Sequence, residues 1–303
     1  MTGLDMIRAI QTIQSPFMDR LFLFMSGLHG ELLYLLVLPL LYWLYDKRFA
    51  RHLATVFVLG NWSNDVLKNL FNTARPLASD VRVLRPEPSG AFPSGHSQNP
   101  LLFWGTIALE VNRRWLTAVV AVVVVLIGIS RLYIGVHWPL DILGGWTLGA
   151  LMLWGFAKTR SFWSGENQPF RTQLLWAVVL PAVVLIITLL LGQLPAMSTP
   201  KAALTTDLVR FLGVYFGFSI GAAVESEFVG FDPRRGSRWV QVVKVVLGIA
   251  LLLAVKEGTK LFIPATALGE IFRYALIAMT VSLGAPWVFK RFAPAPPAGT
   301  QAA

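Results

Sequence analysis

Three short polar clusters interrupt an otherwise apolar chain of 303 residues, and they hold the side-chain types that phosphoryl chemistry needs. Lys68 and Arg75 stand seven apart, just before Pro76; Pro93-Ser94-Gly95-His96 follows; Ser130-Arg131 then precede His137 and Asp141, which are four apart. Arg offers a planar fork for two phosphate oxygens, and Lys a compact charge. Ser and Gly ahead of a helix place a hydroxyl and backbone N–H groups at its positive dipole end, where anions bind. A carboxylate on one imidazole nitrogen fixes the tautomer and leaves the other nitrogen free to attack. Three cations, two imidazoles, one carboxylate and a Gly-containing turn form a kit for gripping a phosphate and cutting its ester without a metal.

Each cluster has a plainer reading. Basic residues at a span end can anchor it by snorkelling, a Ser can simply cap a helix, and an isolated His can be a satisfied core or interfacial residue. Two of the four His fall inside the clusters, however. An Arg at a span end without an anionic partner is also costly. Many fixed positions in a fixed order outweigh the plainer reading of each one. His29 and His52 have no such company and read as loop or interface residues; Arg82 and Arg85 read as solvated, with contact to a head group as the alternative.

The clusters must be positioned by helices. A seven-residue spacing is two turns, so Lys68 and Arg75 are expected on one helix face, with Pro76 stopping the helix. Pro139 suits the first turn of the helix that carries Asp141. Pro100 sits inside the first turns expected after His96. Either the helix restarts at Pro100 with Asn99 as its cap, or the motif lies on an irregular turn.

Apolar residues make up 55% of the chain and charged ones 14%, far from the roughly 25% charged of a soluble domain. The fold class expected is all-α, a polytopic transmembrane bundle of about nine spans, over 30–45, 52–72, 97–111, 115–131, 138–158, 171–192, 207–228, 239–257 and 269–289. Residues 1–28 read as an interfacial amphipathic helix, 29–160 as the catalytic transmembrane core, 161–292 as additional C-terminal helices without a legible motif, and the Pro/Ala-rich 293–303 as a disordered tail. The absence of Cys excludes thiolate chemistry and Cys-based metal sites. The net charge of +10 is assigned to Lys and Arg in cytoplasmic loops rather than to nucleic-acid binding. Alternate loops carry Lys47, Arg48 and Arg51; Arg113 and Arg114; Lys158, Arg160 and Arg171; Arg234, Arg235 and Arg238; and Lys290 and Arg291. These face inward, so all three polar clusters meet on the outer face. Glu225 and Glu227 then read as an inner interface. No feature specifies an oligomeric state.

At Lys68-x6-Arg75-Pro76, Pro93-Ser94-Gly95-His96 and Ser130-Arg131-x5-His137-x3-Asp141 the sequence resembles the type 2 phosphatidic acid phosphatase (PAP2) superfamily, which also holds vanadium haloperoxidases and glucose-6-phosphatases. The resemblance covers about Leu59 to Gly149, and the nine-span layout is similar to that of glucose-6-phosphatase. It implies a PAP2-type catalytic helix bundle and a two-step mechanism with no metal and no cofactor. His137 would attack phosphorus and become a phospho-histidine, with Asp141 orienting it. His96 would protonate the departing alkoxide and then activate water. Lys68, Arg75 and Arg131, with Ser94 and the Gly95 amide, would hold the phosphate oxygens.

The expected activity is a membrane lipid phosphatase acting at the outer interface of the plasma (inner) membrane. Its partners would be membrane lipid and a lipid phosphate: phosphatidate, phosphatidylglycerol phosphate, polyprenyl diphosphate or a sphingoid phosphate. A phosphatase for a soluble sugar phosphate is the alternative suggested by the span count. A haloperoxidase is disfavoured because known members are soluble. A non-hydrolytic transporter is left room by the last four spans.

Overall fold

The computed structural model describes residues 2–28, 31–163, 168–191, 193 and 206–292. Thirteen α-helices occur there: α1 Gly3–Gln11, α2 Pro16–Gly27, α3 Glu31–Leu40, α4 Lys47–Phe71, α5 Gly95–Val111, α6 Arg114–Tyr133, α7 Pro139–Lys158, α8 Arg160–Trp163, α9 Phe170–Leu191, α10 Thr206–Val224, α11 Arg238–Phe262, α12 Ala267–Met279 and α13 Ala285–Phe292. Three π-helical turns, Leu41–Tyr45, Glu225–Val229 and Thr280–Gly284, extend α3, α10 and α12. No strand occurs among the described residues. In hydrocarbon every backbone polar group must find its partner within the segment, and a helix does that locally.

A helix covers each of the nine apolar stretches. Six helical segments among the described residues are long and apolar enough to cross a bilayer: Arg114–Tyr133, Pro139–Lys158, Phe170–Leu191, Leu208–Val229, Arg238–Phe262 and Ala267–Phe292. Those over 30–45, 52–72 and 97–111 fall outside that set. α5 has only 17 residues, while α4 carries polar and charged residues along its length, from Lys47 and Arg48 to Asn64, Asp65 and Lys68. The tail expected to be disordered, 293–303, and His29 lie outside the described residues.

The chain divides into two compact units. The first comprises Met1–Leu35, Thr55–Arg160 and Ile186–Thr205; the second comprises Leu36–Ala54, Ser161–Leu185 and Thr206–Ala303. The three polar clusters all belong to the first. There α5 packs against α6 and α7, and Gly145 of α7 lies so close to the start of α5 that an added Cβ would meet the Ser94 carbonyl oxygen at 2.5 Å. Tyr34 and Phe57 close on Phe103 of α5 with ring centroids at 4.6 and 5.7 Å.

Residues 1–28 form two helices rather than the single interfacial one expected. Thr2 makes a reciprocal capping box with Asp5, and Ser15 caps α2 with Pro16 at its first position. Ile7 of α1 is fully buried in a cluster with Val81, Leu132 and Ile142. His52, expected in a loop or interface, is buried within α4.

In the second unit α10 presents Gly213, Gly217 and Gly221 at every fourth position, and α12 packs directly on them. A Cβ on Gly217 would run into the backbone of Ala275. Small residues let helix backbones approach where no hydrophobic effect drives them together. Glu225 is fully buried: it accepts from Tyr42 Oη at 3.2 Å, Lys47 Nζ at 2.9 Å and the Phe231 amide at 2.6 Å. Glu227 is exposed.

Candidate active site

α4 does not reach Arg75. It ends at Phe71, and Asn72 turns the chain with φ 40°, so Lys68 and Arg75 do not share a helix face. Tertiary contacts bring them together instead. Lys68 Nζ donates to Ser89 Oγ at 3.3 Å, and Arg75 donates to the same oxygen at 3.2 Å and to the Ser89 carbonyl at 2.8 Å. Arg75 also donates to the carbonyls of Gly90, at 3.2 Å, and Val136, at 2.7 Å. One guanidinium thereby ties the first cluster to the third and to the loop just ahead of the second.

Ser94 is the N-cap residue of α5, yet its hydroxyl caps nothing. Its Oγ is fully buried and has no hydrogen-bond partner among the described residues. A buried hydroxyl without a partner costs on the order of 1–3 kcal/mol. The Ser94 amide donates to the Asp141 carbonyl at 2.9 Å, which sets the N-termini of α5 and α7 side by side. His96, in the first turn of α5, and His137, just ahead of α7, therefore lie at the same end of the bundle. A Cβ on Gly95 would come within 2.8 Å of Asn64 Oδ1, so the turn can sit against α4 only with Gly there. α5 runs through Pro100 without restarting. Proline removes one intrahelical bond, from its own nitrogen to the His96 carbonyl, and near the helix start the loss is tolerated.

His137 is fully buried. Its Nδ1 faces Asp141 Oδ2 at 3.2 Å, and its Nε2 lies 3.1 Å from Arg75 Nη1. A guanidinium can only donate, so Nε2 holds the lone pair and the proton resides on Nδ1, toward the carboxylate. Asp141 also accepts from the Trp138 amide at 2.7 Å, which closes a capping box on α7. The imidazole pKa is driven well below its ordinary 6.5, first by burial and then by Arg75, Arg131 and Lys68. An unfolded chain takes up this proton near 6.5 while the native one does not. Native stability is therefore retained above that pH and lost as pH falls below it. Thermal denaturation should show Tm dropping between about pH 7 and about pH 5, and His137→Gln should flatten the drop.

Arg131 is 1% exposed. It gives Nη1 to Ser26 Oγ at 2.5 Å and Nη2 to Glu87, whose other oxygen lies 3.0 Å from Arg75 Nη2. Burial would raise the Glu87 pKa, but Arg131, then Arg75 and Lys68, hold it below the ordinary carboxylate value. Ser130 spends its hydroxyl on the Ile127 carbonyl at 2.6 Å. The structure thus brings Lys68, Arg75, Arg131, His137 and Asp141 into one connected set, with Ser94, Gly95 and His96 on the adjoining turn. Sequence reasoning missed Glu87. Its one signal was a carboxylate between Pro86 and Pro88 in a loop of cations. Arg82, read as solvated, is paired with Asp19 at 2.5 Å.

Comparison with known proteins places these residues in a family context. Residues 49–165 match the family model described as PAP2 superfamily, and 209–297 match the one described as PAP2 superfamily phosphatase, transmembrane extension. Phosphatidylglycerophosphatase B of Bacillus subtilis is 38% identical over 106 residues, which are 32% of this chain and 51% of that protein. Undecaprenyl-diphosphatase of Sulfolobus acidocaldarius is 29% identical over 49% of this chain and 73% of its own length. Sphingosine-1-phosphate phosphatase 2 of Mus musculus is 28% identical over 69% of this chain and 60% of its own. The match thus spans only about half of the first of these relatives. A crystal structure of a transmembrane PAP2 type phosphatidylglycerolphosphate phosphatase from Bacillus subtilis covers 53% of this chain and 85% of its own, at 28% identity and a TM-score of 0.47.

Proposed function

We propose that this chain, which matches PAP2 superfamily models over residues 49–165 and 209–297, is an integral membrane phosphatase of lipid phosphates that works through a phospho-histidine and without a metal. The observation that carries this reading is the setting of His137: fully buried, with Nδ1 at 3.2 Å from Asp141 Oδ2 and Nε2 at 3.1 Å from the Arg75 guanidinium. That cation is where an anionic phosphate would dock.

In the first step Nε2 forms a bond to phosphorus while the ester P–O bond breaks, and His96 gives a proton to the departing alkoxide. In the second, His96 takes a proton from water, the oxygen bonds to phosphorus, and the P–N bond breaks, which returns the imidazole to its first state. Asp141 stabilises the imidazolium character that develops on His137. Lys68, Arg75 and Arg131, with Ser94 Oγ and the Gly95 amide, hold the non-reacting oxygens. Such chemistry is mostly positioning and charge stabilisation, and fixed cations and amides in a water-poor site supply both.

A lipid-borne phosphate suits a site whose third cluster ends one candidate membrane helix and leads into the next. The names of the relatives share one chemistry, a phosphate on a lipid-anchored oxygen. On this reading the site faces the extracytoplasmic side of the plasma membrane, which the distribution of Lys and Arg among the loops supports. The test is phosphate release by the purified chain from phosphatidate, phosphatidylglycerol phosphate, undecaprenyl diphosphate, sphingosine 1-phosphate and glucose 6-phosphate. At least one lipid should be hydrolysed with kcat/KM about 100-fold above glucose 6-phosphate. Activity should survive EDTA and fall with vanadate, a mimic of the five-coordinate transition state. Equal activity on glucose 6-phosphate, no release from any lipid, or loss on chelation would overturn the proposal.

A further inference from the structure

We propose that the N-terminal pair α1–α2 is a brace for the phosphate grip, with Ser26 and Asp19 as positioning residues; this rests on Arg131 being a phosphate ligand. Both helices hold the same two things, the loop after α4 and the end of α6 that carries Arg131. From α1, Gln11 Nε2 donates to the carbonyls of Arg82, at 2.7 Å, and Tyr133, at 2.9 Å, while Gln11 Oε1 accepts from the Arg82 amide at 3.1 Å. Arg8 Nε donates to the Asp80 carbonyl at 3.1 Å. From α2, Asp19 accepts both guanidinium arms of Arg82, at 2.8 and 2.5 Å, and the Tyr133 hydroxyl at 2.6 Å. Phe22 stacks on the Tyr133 ring with centroids 4.2 Å apart. Ser26, 6% exposed, accepts from Arg131 Nη1.

The geometry gives Ser26 a particular task. Of the Arg131 nitrogens, Nη2 is engaged by Glu87, a group that a phosphate would compete with. Nε has no hydrogen-bond partner among the described residues. Ser26 is the contact that persists when Glu87 is displaced, so it sets the direction in which the fork points. A charged fork held in one orientation binds an anion without reordering at the moment of contact. Asp19 acts one link further out. By clamping Arg82 it fixes the loop that presents Glu87 to Arg131 and Ser89 to Lys68 and Arg75.

The brace is tested on the full-length chain by the inhibition constant of vanadate, which does not depend on the folded fraction, together with kcat and KM on a lipid phosphate that the wild type hydrolyses. Ser26→Ala should weaken vanadate inhibition about tenfold, as expected for losing a hydrogen bond to a charged group. Ser26→Thr should restore it. Asp19→Asn and Arg82→Gln should each weaken it several-fold, and the double variant should be no worse than either single one. Wild-type vanadate inhibition in Ser26→Ala, or additive effects of Asp19→Asn and Arg82→Gln, would overturn the brace. Arg131→Met separates the two readings. If it keeps wild-type vanadate affinity, the assignment of Arg131 as a phosphate ligand fails and the brace with it. If it loses affinity while Ser26→Ala does not, only the brace fails.

Discussion

His137→Ala is expected to lower phosphate release from a lipid phosphate by at least about 10⁴-fold, the scale on which removing a covalent nucleophile acts. The loss belongs to the chemistry, because the surroundings of the side chain keep their other partners. Asp141 retains the Trp138 amide, and Arg75 retains the carbonyls of Ser89, Gly90 and Val136. The folded chain should therefore survive, with Tm within a few degrees of wild type, while kcat collapses. A companion measurement looks for the adduct itself. Rapid quenching of the wild type with ³²P-labelled substrate should trap label on the protein, acid-labile and base-stable, and His137→Ala should trap none. Label that persists in His137→Ala, or full activity in that variant, would place the nucleophile elsewhere.

Arg131→Met is expected to cost about 10²–10³-fold in kcat/KM, the range seen when one preorganised charge-stabilising donor is removed. Met keeps much of the buried volume, so packing loss is limited. Glu87 keeps Arg75 at 3.0 Å and is itself 20% exposed, so it is not stranded as an unpaired buried charge. Stability should fall by only about 1–3 kcal/mol, the scale for hydrogen bonds to a charged group. Arg131→Lys should rescue little. One ammonium cannot span Ser26 and Glu87 while also presenting a flat fork to a phosphate. Measuring kcat/KM beside denaturation midpoints for both variants separates grip from folding. A Lys variant with wild-type kcat/KM would show that charge alone matters at this position.

Much of the site was legible because its chemistry is local in sequence. The spacing of His137 and Asp141 spans one helical turn, and the structure sets them 3.2 Å apart with Asp141 doubling as a helix cap. The helices over the nine apolar stretches were legible for the same reason. Other features were misread by applying a local rule where a distant contact prevails. Lys68 and Arg75 have helical spacing, yet α4 stops at Phe71, and both cations are gathered onto Ser89 by the returning loop. Pro100 points in sequence to a helix restart or an irregular turn, but α5 begins at Gly95, where the Ser94 amide is tied to Asp141 and the turn is pressed onto Asn64. The glycines of α10 were present in the sequence and went unread.

What the amino-acid order determined by itself is the inventory and the elements: which cations, imidazoles and carboxylate exist, and which apolar stretches become helices. Hydropathy and backbone hydrogen bonding act within a few residues. Only the tertiary structure decided the roles of Glu87, Ser26 and Asp19. Their hydrogen-bond and ion-pair partners lie 44, 105 and 63 positions away. A carboxylate or hydroxyl has no function until something charged is placed against it. That placement comes from the packing of α1, α2, α6 and the loop after α4, not from the residue types alone.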